Sequence, residues 1–242
     1  MIKNYIKTAW RSLVKNKFFS LINILGLSIG MAACLLLLEY VSFELSYDRF
    51  NKNAGDIYRV VNDRYKNGKL IQHSTMTYSA VSKAMQADFS EVSNYTRVMP
   101  GFRILIFYNG KKLEVQQSFG VENSFLSMFS YPLVSGDPKT ALKEPHTIVI
   151  TQSLAKKIFN VNDSDMASVL GKKIEAGNES NFFKITGVCK DVPVNSHLQF
   201  DCLYSYITIY TGKNAWYQAD YDFTTPKFRH YIMLKPGTDY KA

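Results

Sequence analysis

No acidic residue occurs before Glu39, and between Phe18 and Leu38 there are 21 residues with no charge of either sign. A gap of that length excludes an ordinary solvent-facing segment, because about 20 uncharged apolar residues are what a bilayer core requires. Cysteine is scarce as well. Cys34 lies in the apolar run, and Cys189 and Cys202 stand thirteen positions apart, with no CxxC pair and no histidine at zinc-ligand spacing. A zinc module is thereby excluded. Outside the cytoplasm the last two cysteines allow two readings, a disulfide or a pair of buried free thiols.

The motifs of common chemistry are missing too. Nothing fits GxxxxGK[ST], HExxH or GxGxxG, so there is no signature of a phosphate-cradling loop, zinc-protease helix or dinucleotide turn. No cofactor is expected in this chain. The four histidines, His73, His146, His197 and His230, are dispersed and read as surface or core hydrogen-bonding residues. His197, in "NSHLQFD", is the least easily dismissed, yet catalysis would need partners that spacing does not reveal. From residue 47 onward there are 24 Lys and Arg against 18 Asp and Glu, too small an excess to argue for nucleic acid. Repeats and low-complexity linkers are also lacking.

What is present begins with the charge. The chain has 242 residues, 46% hydrophobic and 20% charged, with a net charge of +9. More than half of that excess comes from Lys3, Lys7, Arg11, Lys15 and Lys17. Ile2, Tyr5, Ile6, Ala9, Trp10, Leu13 and Val14 recur at three- and four-residue intervals, and every cation falls off this stripe. Residues 1–17 therefore predict a basic amphipathic helix lying in the headgroup layer, with Trp10 on its apolar side and its lysines meeting anionic lipid.

Residues 18–46 predict a transmembrane helix and its outer extension. Five cations precede it, whereas Glu39, Glu44 and Asp48 follow before the next arginine, so the positive-inside bias places the N-terminus in the cytoplasm. Glu39 and Glu44 mark the outer membrane boundary. A cleaved signal peptide fits poorly, since the run is too long and no small-x-small site closes it. "MAAC" at Met31–Cys34 faintly resembles a lipoprotein box, but four leucines follow where polar chain is needed. Gly26 and Gly30 form a GxxxG that Ala33 extends, a strip that lets a neighbouring helix backbone approach closely.

From residue 47 to 242 the pattern changes to short alternating runs with turn signals. "DIYRVVNDRY" followed by Asn67-Gly68 predicts a first hairpin, and Asn109-Gly110 in "RILIFYNGKKLEV" a second. "SAVSKAMQADF" predicts an amphipathic helix behind a serine cap, and "TQSLAKKIF" a threonine-capped helix after the strand "HTIVI". A third hairpin is expected around Gly177-Asn178, and a last strand in "HYIMLKP". The aromatic stretch Tyr204–Phe223 reads as half-buried strand and loop residues. Together these give an α+β module with mostly antiparallel sheets.

The stretches "WRSLVKNKFFSLINILGLSIGMAACLLL", "ELSYDRFNKNAGDIYRVV", "VENSFLSMFSYPLVSGDPKTAL", "TIVITQSLAKKIF" and "FKITGVCKDVPVNSHLQFD" follow one another in order. In combination they resemble the transmembrane subunits of ABC transporters of the macrolide-exporter type, the MacB-like or FtsX-like permeases. Cys189 departs from the aliphatic residue expected at its position. The resemblance implies a protein of the bacterial inner membrane, with its N-terminus cytoplasmic and its main domain periplasmic. It further implies a separate cytoplasmic ABC ATPase that binds ATP and Mg, a second permease copy or paralogue, and possibly a periplasmic partner. The work implied is mechanical coupling to export or to signalling, with no catalysis by this chain. Such permeases need further transmembrane helices beyond the point where "PGTDYKA" ends, so an N-terminal portion or a truncated paralogue is expected. The alternative function is a single-pass anchored sensor whose ectodomain recognises a ligand.

Overall fold

The computed structural model describes residues 2–101, 103–177, 181–210 and 219–239. It divides into two units, Met1–Tyr47 and Asp48–Ala242.

In the first unit, α1 (Ile2–Lys15) and α2 (Lys17–Leu45) are separated by Asn16, whose φ of −105° and ψ of 55° leave the helical region. The break is bridged: the Ser20 hydroxyl donates to the Leu13 carbonyl at 3.1 Å. α2 runs for 29 residues and buries none of them. Phe18, Leu27 and Leu36 are 84%, 65% and 67% exposed. A helix apolar on every side and uncovered by its own protein suits hydrocarbon, where the closed ladder of backbone hydrogen bonds needs no water.

The second unit opens with β1 (Ile57–Val60), the hairpin β2 (Asn62–Lys66) and β3 (Lys69–Ser74), and the short β4 (Thr77–Tyr78). α3 (Val81–Asp88), β5 (Val92–Pro100), β6 (Ile104–Tyr108), β7 (Lys111–Val115), β8 (Ser118–Val121) and α4 (Phe125–Met128) follow. The remainder is β9 (Leu133–Gly136), β10 (Thr147–Thr151), α5 (Gln152–Phe159), β11 (Lys173–Ala176), β12 (Asn181–Cys189), β13 (Cys202–Ser205) and β14 (Pro226–Leu234). The main sheet has the order β1-β14-β5-β8-β13-β10-β12-β11-β6-β7, with β4 beside β14 and β9 beside β12. β10–β12 and β13–β8 are parallel and the other pairings antiparallel. This is the mixed, mostly antiparallel α+β fold that the turn signals suggest.

Two asparagine-glycine turns lie where expected. Asn67 and Gly68 have φ of 51° and 73°, and Asn109 and Gly110 of 46° and 75°. Both pairs supply the left-handed central residues of a type I′ turn, whose twist matches the flanking strands. The run "DIYRVVNDRY" is not one strand, however. β1 pairs with β14, and only β2 pairs with β3. Ten residues exceed an ordinary strand, and the chain divides at Val61 so that β1 joins the sheet while the hairpin stands apart. α3 lacks its serine cap: Ser79 directs its hydroxyl to the Asp222 carbonyl at 3.4 Å. α5 has its cap, Thr151 accepting from the Leu154 N–H at 3.3 Å. β11 and β12 form the third hairpin, although residues 178–180 of its turn lie outside the described residues.

The interior has two clusters. One gathers Phe125, Leu126, Met128, Phe129, Tyr131, Leu198 and Phe200. The other gathers Ile150, Leu154, Ile158, Met166, Val169 and Ile185. β10 lies between β12 and β13, and so between Cys189 and Cys202. Both thiols are free and buried, which decides between the two readings of that pair. Burial pushes the Cys189 thiol up to about 12.

Gly136 faces Gly187 across β9 and β12. Its φ is 100°, and a Cβ there would lie 2.5 Å from the Thr186 carbonyl oxygen. Gly136→Ala should therefore cost about 3 kcal/mol, whereas Gly171→Ala, at a φ of 80° with nothing within 4 Å, should cost about 1 kcal/mol. Urea unfolding of the two variants beside the parent checks the difference.

Candidate functional site

The residues singled out in the first unit occupy two helices. Lys3, Lys7, Trp10, Arg11 and Lys15 are on α1, and Lys17 opens α2. Trp10 is exposed. Gly26, Gly30 and Ala33 lie in the middle of α2, and a Cβ at either glycine would meet nothing within 4 Å. The strip is open along this helix. Glu39 and Glu44 sit in its last turns, both exposed.

In the second unit the chain begins with a turn at Asp48, whose φ of 58° is a left-handed conformation that Asp tolerates better than most residues. The left-handed turn directs both backbone and carboxylate of Asp48 at the loop 193–199. Its N–H donates to the Asn195 carbonyl at 2.9 Å. Its carboxylate accepts from the His197 N–H at 3.1 Å, from the Ser196 hydroxyl at 3.3 Å and from His197 Nδ1 at 2.7 Å. With the proton fixed on Nδ1, the opposite ring nitrogen is an acceptor, and the Tyr231 hydroxyl lies 2.8 Å from Nε2. Arg59 on β1 is the cross-strand partner of Tyr231 on β14. A relay Tyr231–His197–Asp48 results, running from β14 to the first turn of the unit, with Arg59 beside it on the edge strand β1.

This relay borders a cleft of about 400 Å³ lined by Asp48, Asn51, Ala54, Ile57, Arg59, Phe129, His197 and Tyr231. Asn51 is 6% exposed, and its side-chain oxygen has no hydrogen-bond partner. Burial pushes the Tyr231 phenol up to about 12, so it keeps its proton and is no nucleophile. Among the described residues no three His, Cys, Asp or Glu converge on a metal position.

The fold and this geometry can be set beside known proteins. The family model described as the MacB-like periplasmic core domain matches residues 20–242. The chain belongs to this family. Its fold is similar to that of a domain of a protein described as a permease from Porphyromonas gingivalis, with a TM-score of 0.64, 23% identity, and 79% of this chain and 78% of that one covered. The periplasmic region of MacB from Actinobacillus actinomycetemcomitans aligns with a TM-score of 0.52 at 12% identity, covering 77% of this chain and 78% of that one. The extracellular domain of the noncanonic ABC-type transporter YknZ from Gram-positive bacteria gives 0.50 at 12% identity, with 75% and 84% covered. A comparison with curated proteins gives no match. The chain is thus a MacB/FtsX-like membrane permease domain, anchored by one apolar helix, with its larger β-sheet unit periplasmic.

A second polar cluster of this MacB-like domain is buried. Arg97, on β5, is 2% exposed. Its guanidinium pairs with Glu122, bonds Asp220 at 2.7 Å and the Ser79 carbonyl at 3.0 Å, and stacks 4.1 Å from the centre of the Tyr206 ring. Lys83 reaches the other oxygen of Asp220 at 2.6 Å. His230 is the β14 partner of Arg97, and its Nδ1 lies 2.8 Å from the Ser82 hydroxyl.

Of the four histidines, then, His197 joins a network, His230 is a core residue, His146 is half-buried against Phe183, and His73 forms a surface pair with Asp63 at 2.6 Å. Asp48, Asn51, Arg59 and Tyr231 carry no local motif. In the aromatic stretch Tyr204 is half-buried and Tyr206 buried, while residues 211–218 lie outside the described residues.

Burial, with a smaller push from the Arg97 cation, depresses His230 from 6.5 to about 3. A histidine held neutral on folding gives stability that is full above its unfolded value and is lost as pH falls toward the folded one. Urea titrations should show stability declining between pH 6.5 and about 3, by up to about 1 kcal/mol per unit from this group. His230→Gln should flatten that slope.

Proposed function

We propose that the chain belongs to a permease subunit that transmits work from a separate cytoplasmic ATPase to its periplasmic domain, for export or mechanical signalling. The observation that carries this reading is the fastening at Asp48. α2 is a continuous 29-residue helix, and three residues after its end, past Ser46 and Tyr47, the chain is pinned by the Asp48 backbone and carboxylate. A displacement of the helix along or across the membrane reaches the sheet through that residue. Hydrogen bonds to a charged group contribute about 1.5–3 kcal/mol each, enough to keep the joint closed under thermal load. Support also comes from the relatives, one described as MacB and another as an ABC-type transporter.

In this function Lys3, Lys7, Arg11, Lys15 and Lys17 hold α1 at anionic lipid of the inner leaflet, with Trp10 in the interface. The N-terminus is cytoplasmic. The open strip of Gly26, Gly30 and Ala33 packs against helices of the same permease or of a second copy. Glu39 and Glu44 stand at the outer boundary. ATP and Mg belong to the partner ATPase. The domain division follows the same lines: residues 1–17 interfacial, 18–46 spanning, and 47–242 periplasmic. A second reading, an anchored binding module, is supported by the open cleft beside Asp48.

Cysteine labelling from outside intact cells should reach a reporter near Asn109 and not one near Asn4; the reverse pattern overturns the orientation. In the assembled transporter, Asp48→Ala should reduce coupled activity about tenfold while the ATPase still hydrolyses ATP. Asp48→Asn, which keeps acceptors for the Ser196 hydroxyl and the His197 N–H, should lose less. Gly30→Leu should uncouple through helix packing instead, and unchanged assembly and coupling would remove the strip from the mechanism.

A further inference from the structure

We infer that the cleft beside Asp48 is a binding site for a small zwitterion of the amino-acid class. Its volume of about 400 Å³ falls within the range of roughly 300–1,000 Å³ usual for small-molecule sites. Its chemistry is lopsided in an informative way. Asn51 lines it, and its buried side-chain oxygen accepts nothing in the free protein, an acceptor that a ligand donor would satisfy. Asp48 adds a carboxylate on the same wall, held in place by Ser196 and His197. These two acceptors suit an ammonium group. Arg59 supplies a cation. It forms no ion pair among the described residues, lies on an edge strand beside Tyr231, and lines the cleft. A planar guanidinium of this kind matches a carboxylate. Ile57 and Phe129 give an apolar surface for a side chain.

One cleft therefore offers an anion, a cation and an orphaned acceptor, and a molecule with an ammonium and a carboxylate on one carbon satisfies all three. A pure anion would leave Asn51 unsatisfied and face Asp48. A pure cation would meet Arg59. A ligand seated here would bridge β1 to the turn at Asp48. The inference does not depend on ATP coupling, since binding is read without the ATPase.

The test uses the 242-residue chain in detergent micelles and isothermal titration with three probes: leucine, leucinamide and N-acetylleucine. Leucine should bind, and each blocked derivative, missing one charge, should bind at least about tenfold more weakly. Arg59→Gln should weaken leucine about tenfold and leave leucinamide unchanged. Asn51→Leu should lose leucine binding with its thermal midpoint kept or raised, because the oxygen removed has no partner in the free protein. No heat with leucine up to about 10 mM, equal binding of all three probes, or a lowered midpoint in Asn51→Leu would overturn the assignment.

Discussion

The hydrogen bonds of Asp48 fix where the periplasmic unit begins. A carboxylate that accepts from a backbone N–H, a hydroxyl and an imidazole has little freedom left. Its own N–H is tied as well, to Asn195. The loop 193–199 is thereby secured against the first turn, and His197 carries the constraint on to Tyr231 in β14. Since β14 lies between β1 and β5, a restraint applied at Asp48 reaches the main sheet through His197 and Tyr231. The ring also sits against the aromatic core: Phe129 packs edge-on to Tyr231 at 5.1 Å. Polar direction and apolar packing thus act on the same tyrosine.

The interior around Arg97 works differently. There two carboxylates, a lysine and a tyrosine face surround one buried guanidinium, and each carboxylate compensates part of its charge. Such networks contribute less to net stability than an apolar core of equal volume, but they admit few alternative arrangements. α3, β5 and the segment around Asp220 are held in one register by this cluster. Burial outweighs the nearby arginine at Glu122 and raises its carboxyl above the usual range.

Much of this architecture was legible in the residues. Asn-Gly dipeptides determine their own backbone geometry, and both turns have the expected conformation. Thr151 caps its helix because the oxygen acts within three residues. The long apolar run and the mixed sheet followed from local pattern in the same way. Failures came where distant chain decided. Ser79 could have capped α3, but an Asp222 carbonyl 143 positions away took its hydroxyl. β1 left its apparent hairpin for β14 because the better partner lies at the far end of the sequence. The cleft was almost invisible. Only His197 drew notice, since Asp48, Asn51, Arg59 and Tyr231 come from three separate stretches and none has a spacing that announces the others. "ELSYDRF" and "NSHLQFD" did stand among the stretches that carried the family resemblance, and the Asp48–His197 contact gives a physical reason for their joint appearance.

The placement of β10 between Cys189 and Cys202 affects how the chain can mature. Two strand spacings separate those residues by roughly 10 Å, beyond the reach of a disulfide. In an oxidising compartment, a nascent chain whose thiols meet before β10 has inserted would be tied into a shape from which the sheet cannot close. Folding of this segment is thus in a race with oxidation, and the finished sheet is what takes the two sulfurs out of circulation.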